Sequence, residues 1–321
     1  MNSQRTQQLT PMRPTAYRWM GMVLALGMTT SLLAQQDPQF SQYMFNLLAI
    51  NPAYAGSSGR ASIKALTRHQ WVGFEGAPTT QTLTFHTPVW KESLAVGGTL
   101  MRDSHGPLTQ YNVLADVAYI IHMGDAKLSF GLKGGFNLLQ GRFAELNPLE
   151  ANDQVFQANV DSKLDPQFGF GMMYYSDRFF VGISTPKLLR TEFFQTDSLS
   201  FISLPGQRPH YFLTGGYVFD LGLYHKFKPT FLVKAVQGAP VSFDLTANFL
   251  FFDKFWLGAM YRHTDAVGAL VQYHITNEFT VGYAYDFPLS PLRNYSGGSH
   301  EIMLGFEFGN KLKGVRSPRY F

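Results

Sequence analysis

Phe279-Thr280-Val281-Gly282-Tyr283-Ala284-Tyr285-Asp286-Phe287 sets a large apolar residue at every odd position and a small or polar one at every even position. A period of two is that of a β-strand, whose side chains leave alternate faces, so this stretch predicts a strand with one apolar face and one small, polar face. The same pattern recurs on both sides of it. Phe243, Leu245, Ala247, Phe249 and Phe251 oppose Ser242, Asp244, Thr246 and Asn248; Leu128, Phe130, Leu132, Phe136 and Leu138 oppose Lys127, Ser129, Gly131, Lys133 and Asn137. Strands are expected at 60–68, 80–88, 93–102, 109–121, 126–139, 166–175, 178–185, 210–220, 227–236, 241–252, 254–262, 266–275, 278–287 and 299–309. Fourteen is an even number, and most of these segments have the roughly 9–11 residues of a tilted strand crossing a bilayer.

Alternation alone also suits a soluble sandwich. Composition and loop lengths separate the two. Only 15% of the 321 residues are charged, against about 25% for a soluble protein. Aromatics reach 15%, with 29 Phe and 16 Tyr, which excludes a disordered chain. Runs of about 20 apolar residues are lacking, which excludes a helical membrane bundle. Long connections at 69–79, 140–165, 186–209 and 288–298 follow odd-numbered strands, whereas even-numbered strands mostly end in turns such as Gly124-Asp125, Ser176-Asp177, Asp253-Lys254 and Thr276-Asn277. Gly238-Ala239 and Thr264-Asp265 are short exceptions. Long loops at one end and short turns at the other mark an outer-membrane barrel. The expected fold is therefore all-β, a 14-stranded antiparallel transmembrane β-barrel with a short N-terminal plug segment.

On that reading Lys64, Asp116, Lys133, Lys234, Asp244, Arg262, Asp286, Glu301 and Glu307 point into the lumen, because a charge facing lipid at mid-depth costs about 2–4 kcal/mol. Both signs occur, so internal salt bridges that stiffen the barrel are expected rather than an ion path. Tyr174, Tyr217, Tyr261, Tyr273, Tyr283 and Tyr285 are candidates for aromatic girdles. The last strand puts Ile302, Leu304, Phe306 and Phe308 outward, resembling the C-terminal insertion signal of such barrels.

Four segments follow. Residues 1–34 read as a signal peptide: Arg5, Arg13 and Arg18 precede the apolar run Met20–Leu33, with the small Ala34 at the cleavage point. Residues 35–59 form the plug segment, 60–309 the barrel and 310–321 a basic tail, with both termini expected on the periplasmic side. The formal charge of +4 then dissolves into a leader with three arginines and a tail carrying Lys311, Lys313, Arg316 and Arg319. Between them lie 19 basic and 22 acidic residues, no basic patch for a nucleic acid. Cysteine is absent, so disulfides and thiol catalysis are excluded.

No cofactor or metal site is expected, and no enzyme. His300-Glu301 opens an H-E-x-x pattern, but Leu304 stands where the second ligand is needed. Asp103-Ser104-His105 are neighbours in a turn and cannot readily form a triad relay. Gly56-Ser57-Ser58-Gly59 is one residue short of Gly-x-Ser-x-Gly, and Gly169-Phe170-Gly171 lacks the third glycine of a nucleotide loop.

Two segments are unlike generic barrel sequence: Asp37-Pro38-Gln39-Phe40-Ser41-Gln42-Tyr43-Met44-Phe45-Asn46, and Asn51-Pro52-Ala53-Tyr54-Ala55-Gly56. Arg68-His69-Gln70-Trp71-Val72-Gly73, Gly76-Ala77-Pro78 and the ending Ser317-Pro318-Arg319-Tyr320-Phe321 accompany them. Together they resemble the PorP/SprF family of type IX secretion system outer-membrane proteins. The resemblance implies an integral component of the bacterial outer membrane in the secretion and gliding machinery, working beside a periplasmic lipoprotein ring and cell-surface adhesins or other secreted cargo. Phe40, Tyr43, Met44 and Leu47 have helical spacing, so a short helix is expected to plug or brace the periplasmic mouth. Asp37, Pro38, Gln39, Phe40, Tyr43, Met44, Asn51, Pro52, Tyr54 and Trp71 are the candidate plug or partner contacts. Lys311, Lys313, Arg316, Arg319 and Phe321 are candidate tail contacts. The rival is a FadL-like transporter of hydrophobic small molecules, also fourteen-stranded with a hatch; a general porin is a third possibility.

Overall fold

The structure, a computed structural model, describes residues 38–90, 93–143, 160–189, 193–197, 200–204 and 208–309. The leader and the basic tail lie outside the described residues. Fourteen strands form the wall: β1 Ala61–His69, β2 Thr79–Trp90, β3 Leu94–His105, β4 Leu108–Met123, β5 Ala126–Gly141, β6 Val160–Ser176, β7 Phe179–Thr185, β8 His210–Tyr217, β9 His225–Val236, β10 Ser242–Phe251, β11 Phe255–Arg262, β12 Ala266–His274, β13 Phe279–Pro288 and β14 Ser299–Phe308. Every strand pairs antiparallel with its sequence neighbours, and β1 pairs with β14, which closes the sheet. Closure answers a physical demand: hydrocarbon supplies no hydrogen-bond partner, so a spanning sheet cannot have a free edge.

Burial alternates along each strand. In β11 it runs exposed-buried without interruption, with Leu257 and Tyr261 outside and Trp256, Met260 and Arg262 inside. Across β4 and β5 the exposed large apolar side chains are Val113, Val117, Tyr119, Ile121, Met123, Phe130, Leu132 and Phe136, an apolar band suited to lipid. The connections segregate as expected. Residues 70–78, 289–298 and the flanks 186–189 and 208–209 gather at one end, here the loop mouth, and Gly124-Asp125, Phe252–Lys254 and Ile275–Glu278 at the other, the turn mouth; most of the expected loop 140–165 lies outside the described residues.

Four details depart from the sequence reading. β6 starts at Val160 rather than 166, extending its pairing with β5 up towards the loop mouth. Within 186–209, read as loop, Phe193–Asp197 pairs with Ser200–Leu204 as a separate hairpin. Past β8, Phe219–Asp220 makes a two-residue pairing with β9. The expected short helix is three 3₁₀ turns, Tyr43–Phe45, Leu47–Ala49 and Pro52–Tyr54. Asn46, at φ −138° and ψ 60°, interrupts the first two, and extended Asn51 precedes the third. Asparagine competes for local hydrogen bonds and so breaks a helix where other partners are at hand; here the barrel wall supplies them.

These turns lie inside the barrel, not across the turn mouth. Pro38 and Gln39 sit beside Phe212, Lys234 and Ser242, at the loop-mouth ends of β8, β9 and β10, whereas Ser58 and Arg60 border the turn mouth. Residues 38–60 therefore traverse the lumen, and the first and last described residues are at opposite mouths. The two termini, expected above on one side, lie outside the described residues. The path of residues 38–60 has its cause in the grip on Ser41 and Gln42 described below.

Leu132, at the centre of β5 and 65% exposed, tests the lipid face. Leu132→Arg is expected to lower barrel stability by about 2–4 kcal/mol, read from the urea midpoint of folding into lipid vesicles. An unchanged midpoint would mean that this face does not meet lipid.

Candidate functional site in the barrel lumen

Strand register brings the charges together before any plug residue is considered. Arg68 in β1 lies directly opposite Glu301 in β14, Asp286 in β13 is two positions from Glu301's partner Ala284, and Asp244 faces Arg262 across β10 and β11. All five side chains are buried on the lumenal face near the loop mouth. Arg68 donates from Nη2 to Asp286 Oδ2 at 2.7 Å and from Nη1 to Glu301 Oε2 at 3.2 Å. Arg262 Nε donates to Asp244 at 3.0 Å, and its Nη1 stands 3.6 Å from Asp286. Taking each ion out of water costs several kcal/mol, which is recovered only if every partner is present.

The plug completes this network with its main chain. The N–H groups of Ser41 and Gln42 each donate at 2.8 Å to a different oxygen of Glu301. Ser41 Oγ accepts from Arg68 at 2.6 Å and donates to Asp286 at 2.5 Å. A carboxylate holding two backbone donors is a charge-assisted contact of the stronger kind. It fixes Ser41 and Gln42 against the wall.

Deeper in the lumen, every residue from Phe40 to Ser57 is buried. Tyr43 shares a hydrogen bond with Thr230 at 3.0 Å. Lys133 pairs with Asp116, its cross-strand neighbour, at 2.9 Å and donates to the Leu48 carbonyl at 3.3 Å. Lys64 donates to the Phe45 carbonyl. The Phe45 ring meets Trp256 edge-on at 5.7 Å, and Lys228 Nζ lies 4.4 Å from the Phe45 centroid, within cation–π range. Under this layer a recess of about 470 Å³ opens at the turn mouth between Arg60, Lys64, Leu250, Gln272 and Glu307.

Asn51-Pro52-Ala53-Tyr54-Ala55-Gly56 reads as a fitting for the opposite wall. Asn51 Oδ1 accepts from Ala53 N at 2.9 Å and its Nδ2 donates to the Met172 carbonyl at 3.3 Å. Pro52 opens the 3₁₀ turn, where its missing N–H costs nothing. Tyr54 packs edge-on against His86 at 5.4 Å, and His86 Nδ1 accepts from Gly56 N at 3.2 Å. Gly131 and Gly171 face each other across β5 and β6. A Cβ on Gly131 would overlap the Ala53 backbone, and one on Gly171 the Asn51 amide, so this wall is glycine because the plug's main chain lies against it.

Of the residues singled out from sequence, Phe40, Tyr43, Met44, Asn51, Pro52 and Tyr54 come together inside the lumen, and Pro38 and Gln39 are half-buried at its loop end. Their burial leaves them as packing rather than as a free partner surface. Trp71 is apart from them, on the loop-mouth rim, where its backbone N–H donates to Ser299 Oγ at 3.2 Å and the next residue, Val72, exchanges hydrogen bonds with Gly297 and Gly298. Asp37, Lys311, Lys313, Arg316, Arg319 and Phe321 lie outside the described residues. The other lumenal charges face inward as expected, but Arg68 and Lys228 were not among them. Their parity carried the signal: Arg68 shares the face of Lys64 and Leu66, and Lys228 that of Lys234.

A family model described as type IX secretion system membrane protein PorP/SprF matches residues 32–306. No curated protein matches the sequence. Among solved structures, the Ralstonia pickettii toluene transporter TbuX aligns at 11% identity and a TM-score of 0.49, over 83% of this chain and 93% of its own. The Acinetobacter baumannii outer membrane protein Omp33 gives 9% and 0.46, over 78% and 98%. A Pseudomonas aeruginosa FadL homologue gives 10% and 0.44, over 85% and 95%. These are likenesses of fold alone.

Removing Arg68 would take from Asp286 and Glu301 the cation that bridges them. Arg68→Met is expected to cost about 3–5 kcal/mol in denaturant unfolding. The exposed pair Arg178–Asp220, 3.2 Å apart at the turn mouth, provides the contrast: Arg178→Ala should cost less than about 1 kcal/mol. Equal effects would mean that the buried network does not hold the plug.

Proposed function

The chain belongs to the PorP/SprF family of type IX secretion system membrane proteins, and from that premise we propose that this integral outer-membrane barrel acts as a plugged, non-enzymatic scaffold. On this reading it supports secretion or surface attachment of cargo adhesins, with the loop mouth at the cell surface and the turn mouth in the periplasm. The observation that carries the proposal is the plug's anchorage on two facing walls, by Glu301 and Arg68 on one and by the Gly131–Gly171 wall on the other. A lumen occupied in this way favours work done through surfaces over passage of a solute.

Each mouth offers such a surface. At the loop mouth, Val72, Phe74 and Tyr295 are exposed on segments tied together by hydrogen bonds between Val72 and Gly297 and Gly298, a place for a cell-surface or cargo protein. At the turn mouth, β14 ends at Phe308, and the basic tail that follows is the proposed contact for a periplasmic lipoprotein ring. The FadL-like alternative draws on the recess beneath Phe45 and Trp256, but the buried ions above it are a poor path for an apolar solute.

Two measurements test this. In planar bilayers the full chain is expected to show no steady conductance, and a variant lacking residues 38–55 to conduct; a conducting full chain would contradict the scaffold reading. From detergent-solubilised outer membrane the full chain should co-purify secretion lipoproteins or a large adhesin, and a chain lacking residues 311–321 should lose the lipoproteins. Retention by the shortened chain would remove the tail from the account, and a bound fatty acid with no protein partner would favour transport.

A further inference from the structure

We infer that the amino terminus left by removal of residues 1–34 opens at the loop mouth, so that the two ends of the mature chain face opposite sides of the membrane. The inference rests on the leader and orientation proposed above, and its geometry is that of residues 38–60. Pro38 and Gln39 lie between Phe212, the third residue of β8, Lys234, the third from the end of β9, and Ser242, the first of β10. All three are loop-mouth positions. Ser41 and Gln42 are then held by Glu301, the third residue of β14.

From there the chain dips, rises again at Ile50, which lines the same recess as Pro38 and whose carbonyl accepts from Ser184 Oγ at 2.8 Å, and then runs down to the turn mouth. Phe45 reaches Trp256, the second residue of β11, and Gly56 packs on Ala95, the second residue of β3. Ser58 and Arg60 line the recess at the turn mouth. The whole height of the lumen is therefore used up by residues 38–60.

Cleavage after Ala34 leaves three residues ahead of Pro38. Fully extended they span about 10–11 Å. The nine residues of β1, at about 3.3 Å each and a tilt of about 40°, rise about 23 Å. Three residues cannot return to the turn mouth, and the half-buried state of Pro38 and Gln39 leaves the outward route as the short one.

The chain has no cysteine, so single replacements report one position each. Gln36→Cys marks the amino terminus, Thr264→Cys the loop mouth in the β11–β12 turn and Asn277→Cys the turn mouth between β12 and β13; both of the latter are exposed. Full-length chains are exported, checked for folding by heat-modifiable migration, and treated with a membrane-impermeant maleimide on intact and on permeabilised cells. Gln36→Cys is expected to follow Thr264→Cys, with the same labelling before and after permeabilisation, while Asn277→Cys loses all signal on intact cells. Gln36→Cys following Asn277→Cys, or reacting in neither state, overturns the inference. Should Asn277→Cys be the position that reacts on intact cells, the orientation is reversed and the reading of the two mouths falls, while the opposition of the two ends still stands or falls on whether Gln36→Cys tracks Thr264→Cys.

Discussion

Hydrocarbon offers no hydrogen-bond partner, and the rest of this structure follows from that constraint. The sheet must close, and it does, through β1 and β14. Its outer face must be apolar, which drives Arg68, Asp116, Lys133, Asp244, Arg262, Asp286 and Glu301 into the lumen, where each is buried. A lumen lined with ions must pair them, and the strand register supplies most partners without help from the plug. What the wall cannot supply is the last set of donors to Glu301. The backbone of Ser41 and Gln42 provides them, and so a requirement that begins in lipid ends by fixing a segment at the centre of the barrel.

The Asn51–Gly56 turn solves the opposite problem. Here wall and plug approach too closely for side chains, and glycine at Gly131 and Gly171 makes the room. One end of the plug is thus held by charge and the other by shape. Neither anchor alone would determine the path, since a charged contact permits rotation and a glycine patch accepts many small segments. Together they orient the thread from one mouth to the other.

Much of this was legible in the sequence. Phe279–Phe287 declares its two faces by parity, and the fourteen strands follow at nearly their observed limits because lipid imposes the same alternation on each. Plug membership of Phe40, Tyr43 and Tyr54 was also within reach. The form of the plug was not: Phe40, Tyr43, Met44 and Leu47 have helical spacing, yet Asn46 and Asn51 break the segment into 3₁₀ turns because the wall offers hydrogen bonds that an isolated helix would have to supply itself. The partners of Arg68 lie 218 and 233 positions away, and only the closed register shows that they meet. The direction of the thread was hidden for the same reason, since it depends on which end of β14 holds Glu301.

The central claim is that residues 38–57 are a fixed part of the barrel interior. Amide hydrogen exchange of the folded protein in detergent tests it most directly. The account predicts that Ser41, Gln42, Ala53 and Gly56 exchange as slowly as the strands that hold them. Exchange at the rate of an unstructured peptide, with the strands still protected, would contradict it.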